Sequence, residues 1–175
     1  MNSPALLCTG VTKRYRKDVV LDGVDLAVRA GERFALVGIN GAGKTTLLRT
    51  VLDLARPEAG TIQLYGVDSR RPASRGRLTF LPERFQPPYY LGGGEFLRTL
   101  CRLQGVPYDA DGAAEVLAAL DFPTAALERA ARTYSKGMAQ KLGLAGALLA
   151  RRELVVLDEP MSGLDPKARA DRKSV

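Results

Sequence analysis

The sequence has 175 residues, enough for one domain with a buried core, and its 46% hydrophobic and 26% charged residues are typical of a folded globular chain. It contains no histidine, which excludes Ser–His and Cys–His catalytic pairs and every zinc site that uses histidine. Its two cysteines stand far apart and form no CxxC pattern, which favours a reducing compartment.

The net charge of +7 does not by itself indicate a nucleic-acid partner, because the basic residues are scattered and no series of aromatic residues accompanies them. The longest apolar run, Leu142–Ala150, has nine residues, against about 20 needed to cross a bilayer. A secretory signal requires a basic residue before its apolar region, and none precedes the short apolar stretch at the N-terminus. We therefore expect a cytoplasmic protein without a nucleic-acid partner.

The first part of the chain predicts strands and one helix. Apolar and polar side chains alternate in residues 5–28, as they do in half-buried strands. The short apolar run Phe34–Val37 predicts a buried strand. A glycine-rich loop then leads into a helix that ends before Pro57. The apolar face of this helix consists of Leu47, Leu48, Val51 and Leu52.

The remainder of the chain alternates between strand-like and helical patterns. Residues 60–68 and 78–81 predict further strands, and residues 154–157 predict a last buried strand. Between them, apolar residues follow helical spacing over residues 92–149, with Gly92–Gly94 as a flexible joint at most. This order predicts an α/β protein with a helical subdomain.

One motif in the first half predicts a phosphate-binding loop. Residues Gly38–Thr45 fit the pattern G-x-x-x-x-G-K-[ST], directly after a predicted strand and before a predicted helix. Glycines let backbone N–H groups turn towards an anion, while Lys44 supplies charge for the β- and γ-phosphates. A chance glycine turn would match in roughly 1% of such chains or fewer. The residues predicted to bind the nucleotide are Gly38, Asn40, Gly41, Ala42, Gly43, Lys44, Thr45 and Thr46.

Two carboxylates follow the last predicted strand. Asp158 is predicted to hold Mg²⁺ together with the Thr45 hydroxyl, and Glu159 is predicted to orient or deprotonate the attacking water. The alternative is a solvated acidic turn, which is common after strands. The phosphate-binding loop in the same chain favours the catalytic interpretation.

Two further motifs identify a family. Residues Tyr134–Gln140 are similar to a divergent signature sequence, and residues Met161–Pro166 are similar to a D-loop that contains Asp165. From Leu6 to Arg169 the chain resembles the nucleotide-binding ATPase subunit of ABC transporters. The resemblance implies a P-loop NTPase with a RecA-like core, an N-terminal antiparallel β-subdomain, and a helical subdomain at about residues 92–149 that carries the signature.

The same resemblance implies partners and the roles of further residues. A second nucleotide-binding subunit would form a head-to-tail dimer, and a transmembrane permease would hold the protein at the cytoplasmic face of the membrane. Residues Ser135, Lys136, Gly137 and Met138 would contact ATP held by the other subunit. Ser135 is also expected to cap the following helix. Tyr15 would stack on adenine, although a Tyr on a hairpin strand needs no such role.

The sequence departs from the family pattern in three places. Lys136 and Met138 stand where Gly and Gln are usual, which weakens the case for a competent signature. Glu83 occupies the Q-loop position, which would contact both Mg²⁺ and the permease, with Gln86 as a rival for that role. The sequence stops at Val175, so the resemblance implies that the switch-histidine (H-loop) region is lacking. Family members with Glu at the Q-loop position are frequent among exporters, so the resemblance implies an exporter's ATPase. The alternatives are a hydrolysis-deficient nucleotide-binding module and an ABC ATPase unrelated to transport.

Overall fold

The computed structural model describes residues 3–161 of the chain. The described residues divide into two compact units, with the boundary between Leu78 and Thr79. The first unit is dominated by an antiparallel sheet and the second by helices.

The sheet of the first unit has four strands in the order β2-β1-β3-β4. β1 spans Leu6–Tyr15 and β2 spans Asp18–Val28, and the two pair as an antiparallel hairpin. β3 (Ala59–Leu64) pairs with β1 and with the short strand β4 (Val67–Asp68). The strands predicted over residues 5–28 are confirmed. The single strand predicted over 60–68 is instead two, because a turn at residues 65–66 adopts positive φ angles of 50° and 79°.

Two helices complete the first unit. α1 spans Lys44–Val51 and the short α2 spans Pro72–Arg75. α1 begins where the glycine loop predicts, and its apolar face is buried at Leu47 and Val51. It ends at Val51, several residues before Pro57, because Leu52 leaves helical geometry and Asp53 adopts a φ of 57°.

The predicted buried strand Phe34–Val37 is wrong for the described structure. The segment has no regular secondary structure, and Val37 is 88% exposed. Hydrophobicity predicts burial only if another part of the fold covers the run and provides hydrogen-bond partners for its backbone. Within residues 3–161 no strand does so for this segment.

A two-stranded sheet consists of β5 (Leu78–Leu81), which begins at the boundary of the two units, and β6 (Leu154–Leu157) of the second unit. Both strands have the bounds that the sequence predicts. The burial predicted for β6 is not found, because Val155 is 37% exposed and its neighbours are only partly buried.

Three helices form the core of the second unit: α3 (Gly93–Leu103), α4 (Ala110–Ala119) and α5 (Lys136–Leu149). Two short 3₁₀ turns, Thr124–Glu128 and Ala131–Thr133, link α4 to α5. Side chains from all three helices bury each other in one apolar cluster. Its fully buried members include Leu97, Leu117, Leu142 and Ala145. The predicted helical region is therefore confirmed, although Leu103 is exposed rather than packed.

The glycines at residues 92–94 form a packed helix start rather than a flexible joint. Gly92 bridges to Ala130, and a Cβ atom on Gly93 would collide with the hydroxyl of Tyr134. That hydroxyl donates a hydrogen bond to the Ala126 carbonyl at 2.6 Å. Burial raises the pKa of Tyr134, so the hydroxyl stays a donor. Glycine is needed here for close approach.

None of the helices in residues 3–161 has the length and apolar character needed to cross a bilayer.

Candidate nucleotide-binding site

The glycine loop of the first unit adopts the backbone conformation that its sequence predicts. Gly41 and Gly43 have φ angles of 86° and 85°, a left-handed region that costs glycine little and other residues more. The Ala42 N–H donates to the Ile39 carbonyl at 3.2 Å and closes the turn. The loop therefore curls around the start of α1.

Lys44, the first residue of α1, folds its side chain back over this loop. Its Nζ donates to the carbonyls of Gly38 at 2.7 Å and Ile39 at 2.9 Å. These bonds hold a positive charge at the mouth of the loop, where an anion would meet it.

The N-terminus of α1 is left open by the residues around it. Its N-cap is Gly43, no side chain caps it, and its first turn contains no acidic residue. The first N–H groups of a helix lack intrahelical partners, and the helix dipole is positive at this end. Together with Lys44, these donors give the loop the chemistry that suits an anion.

The loop is seated on the hairpin strand β2. A Cβ atom on Gly43 would lie 2.8 Å from the Val20 carbonyl oxygen, so only glycine fits this contact. Tyr15 pairs with Asp18, two residues before Val20 on the same strand. At about 3.3 Å per residue, this places Tyr15 roughly 7 Å along the strand from the contact with the loop. Tyr15 is 44% exposed as a residue and is therefore not part of the buried core.

The predicted catalytic and metal-binding carboxylates lie at the carboxyl ends of β5 and β6 in the second unit. The Asp158 N–H donates to the Leu81 carbonyl at 2.9 Å, which joins the ends of the two strands. Glu83 follows two residues after Leu81, and Glu159 is exposed at a φ of 45°. Ligand sites in α/β sheets lie at this edge.

The predicted signature residues surround the N-terminus of α5. The Ser135 hydroxyl oxygen accepts a hydrogen bond from the Met138 N–H at 3.2 Å, which confirms the predicted cap. Ser135 and Lys136 are exposed, and Gly137 and Met138 are partly exposed. Asp165 of the predicted D-loop lies outside the described residues.

A cavity of about 530 Å³ brings the Q-loop candidates and the start of α5 together. Glu83 and Gln86 line one side of it, and Ser135 and Lys136 line another. α5 packs closely against the segment that contains Phe85, because Gly143 has no side chain. A Cβ atom on Gly143 would lie within 2.5 Å of the Phe85 ring.

Two polar residues near these sites escaped the sequence analysis. Gln140 lines the cavity, and its buried Nε2 has no hydrogen-bond partner in the described part of the chain. The ammonium of Lys13 lies over the ring of Tyr15. Gln140 is the last residue of the signature-like motif, but the sequence pattern assigns no role to its side chain, and it assigns none to that of Lys13.

Comparison with known proteins decides the family. A family model described as ABC transporter matches residues 21–162. The chain belongs to the ABC transporter family.

Its relatives in this family extend the comparison. A daunorubicin resistance ATP-binding protein of Streptomyces coeruleorubidus is 38% identical over 175 residues, which are 98% of this chain and 55% of that protein. Nod factor export ATP-binding protein I of Ralstonia nicotianae is 37% identical over 176 residues, which are 96% of this chain and 53% of that protein. The chain thus spans about half the length of the curated relatives it matches.

A solved ATP-binding subunit of an ABC transporter has a similar structure. It superposes with a TM-score of 0.77 at 30% identity, over 95% of this chain and 70% of that one. This ABC family member accordingly has the α/β fold of P-loop NTPases, as the sequence predicts.

Proposed function

We propose that this chain is the ATP-binding and ATP-hydrolysing part of an ABC transporter's ATPase subunit, and that the transporter is an exporter. The observation that carries the proposal is the glycine loop at the start of α1, with its open helix N-terminus and with Lys44 across its mouth. Two relatives are named for drug resistance and for export, which supports the direction of transport.

The first unit would bind the nucleotide. Tyr15 would stack on adenine, since the residue is half-exposed on the strand pair that also carries the loop. The phosphates would lie against the loop and the start of α1. The residues proposed for this are Gly38, Asn40, Gly41, Ala42, Gly43, Lys44, Thr45 and Thr46.

We propose that Mg²⁺ accompanies the ATP. Thr45, Asp158 and Glu83 offer only oxygen atoms, which are the ligands that Mg²⁺ prefers. Within residues 3–161 no three Cys, Asp or Glu side chains cluster as a metal site. That fits an ion held largely by nucleotide phosphates and water, with one or two carboxylates. When bound, it would neutralise charge on the phosphates.

Glu159 would accept the proton of the attacking water. It follows the β6 strand end directly and is exposed there, where a substrate could reach its carboxylate. A carboxylate in this role contributes about 10²- to 10⁴-fold to the rate.

The test is Glu159→Gln, which keeps the shape and removes the base. We expect ATP affinity to stay unchanged while steady-state phosphate release falls by about 10²- to 10⁴-fold. Glu153→Gln, at the opposite end of the same strand, is the matched control and should hydrolyse at the parent rate. Equal phosphate release from the Glu159 variant and the parent chain would show that the base lies elsewhere.

The helical segment 92–149 would serve as the signature subdomain, with a second nucleotide-binding subunit as its partner. Ser135, Lys136, Gly137 and Met138 would face the ATP held by that subunit in a head-to-tail dimer. The exposure of Ser135 and Lys136 at a helix N-terminus supports this, because such an end attracts phosphate. Asp165 would act as the D-loop residue at the same junction.

The permease would contact the cavity beside Glu83 and thereby hold the subunit at the cytoplasmic face of the membrane. Two exposed rings, Tyr89 and Tyr90, lie beside it in an edge-to-face pair with centroids 5.4 Å apart. Exposed tyrosines are frequent anchors of protein interfaces. Tyr89→Ala should reduce co-purification with the permease and leave ATP binding unchanged. Leu103→Ala, another exposed apolar residue, is the control.

A further inference from the structure

The side chain of Lys13 on β1 is held in one place by two hydrogen bonds. Its Nζ donates to the Arg56 carbonyl at 2.7 Å and to Glu58 Oε1 at 2.8 Å. The Lys13 side chain is only 13% exposed, although it carries a charge. A lysine fixed in this way has lost the freedom that usually makes surface ion pairs weak.

Glu58, which accepts a hydrogen bond from Lys13, is itself hydrogen-bonded to the backbone of β1. Its other carboxylate oxygen accepts from the Arg14 N–H at 2.8 Å, and its own N–H donates to the Thr12 carbonyl at 2.9 Å. The hydrogen bond from Lys13 lowers the pKa of Glu58, so this carboxylate stays charged at neutral pH. The ammonium position is therefore set by the backbone of β1.

The ammonium thus fixed lies over an aromatic ring. Lys13 Nζ is 5.2 Å from the centroid of the Tyr15 ring, within the range of a cation–π interaction. An ammonium has three hydrogens, and the two bonds above use two of them. Tyr15 as a whole residue is 44% exposed, which leaves room for a second contact.

We propose that Lys13 is a positioning residue for the base of the bound nucleotide, acting through the Tyr15 ring. The inference rests on the proposed stacking of adenine on Tyr15. A cation over one face draws π-electron density towards itself, so the opposite face repels the π cloud of a stacked base less. The ammonium also occupies one side of the ring, which leaves the base a single face to stack on.

The test separates base recognition from phosphate recognition. Mg–ATP and inorganic tripolyphosphate are each titrated calorimetrically against the full chain and its variants. We expect Lys13→Met to weaken ATP binding about two- to fivefold and to leave tripolyphosphate binding unchanged. Lys13→Arg should restore ATP affinity, because a guanidinium also interacts with an aromatic face.

Two further variants complete the design. Lys17→Met removes an equal charge from the turn of the same hairpin and should affect both ligands alike, if at all. In a Tyr15→Ala background, Lys13→Met should have no further effect on ATP affinity. Such a loss of effect is the signature of a role exercised through the ring.

Several results would overturn the proposal. Equal weakening of ATP and tripolyphosphate by Lys13→Met would indicate a general charge effect or a disturbed hairpin. A Lys13 effect that persists without Tyr15 would show that the ring is not involved. If Tyr15→Ala weakens ATP binding and Lys13→Met does not, the positioning role fails while stacking stands. If Tyr15→Ala leaves ATP affinity unchanged, stacking itself is wrong and the positioning role falls with it.

Discussion

The two helix N-termini proposed to face phosphate, those of α1 and α5, have one feature in common and differ in another. Each begins with a lysine and has no acidic residue in its first turn, so each places positive charge where the helix dipole is already positive. α5 offsets this with the Ser135 cap, whereas α1 has only Gly43 and no side-chain cap. A side chain therefore accepts from one of the N–H groups in the first turn of α5, whereas no side chain does so in α1. This difference matches a helix that holds its own nucleotide and one that meets a nucleotide brought by another subunit.

The largest effect should come from removing the charge at the start of α1. Lys44→Ala deletes the ammonium that spans the loop, and we expect ATP affinity to fall by about 100-fold or more, as measured by calorimetry. Arg49→Ala, in the last turn of the same helix, is the charge-matched control and should keep parent affinity. Retained affinity in the Lys44 variant would mean that the loop is not the phosphate site.

A smaller effect should come from the cap residue of α1. Gly43→Ala forces a side chain into a left-handed conformation and against the Val20 carbonyl, and we expect a loss of about 1–3 kcal/mol in unfolding free energy. Gly31 has a similar φ of 78°, but a Cβ atom added there would meet no other atom within 4 Å, so Gly31→Ala isolates the conformational part. Urea unfolding of both variants measures the difference. If the two variants lose equal unfolding free energy, the contact of Gly43 with β2 contributes nothing to the loss.

The smallest effect on stability should come from the start of α5, where two substitutions separate the capping role of Ser135 from its proposed role in dimerisation. Ser135→Ala should cost about 1 kcal/mol in unfolding free energy through loss of the cap. Ser135→Asp keeps a capping oxygen and should leave stability near the parent value. Its negative charge should nevertheless repel phosphate and abolish ATP-dependent dimerisation, as followed by light scattering. A stable Asp variant that dimerises normally would leave Ser135 with the capping role alone.

Much of this arrangement was predictable because the relevant signals are local. The spacing of Gly38, Gly43 and Lys44 predicted both the loop and the start of α1, and the apolar runs predicted the bounds of β5 and β6. The serine at position 135, just before a predicted helix, predicts that its side chain caps that helix. Each of these depends on backbone geometry within a few residues.

The features that were missed depend on contacts distant in sequence. The apolar run Phe34–Val37 predicts a strand, but a strand needs partners that residues 3–161 do not supply to it. The close packing of α5 against Phe85 depends on Gly143, which lies 58 residues after Phe85 in the sequence. The position of Lys13 depends on Glu58 across the sheet, which no periodicity reveals.

The exposed run at residues 34–39 has a practical consequence for handling the protein. Val37 and Ile39 are 88% and 82% exposed, in a stretch that belongs to no helix or strand. Short segments of this kind recruit identical segments from other copies, and at high expression they lead to inclusion bodies. The same stretch would make the newly synthesised chain a client for chaperones that hold extended apolar peptides. We therefore expect a fusion partner or a lower growth temperature to improve the yield of dispersed protein.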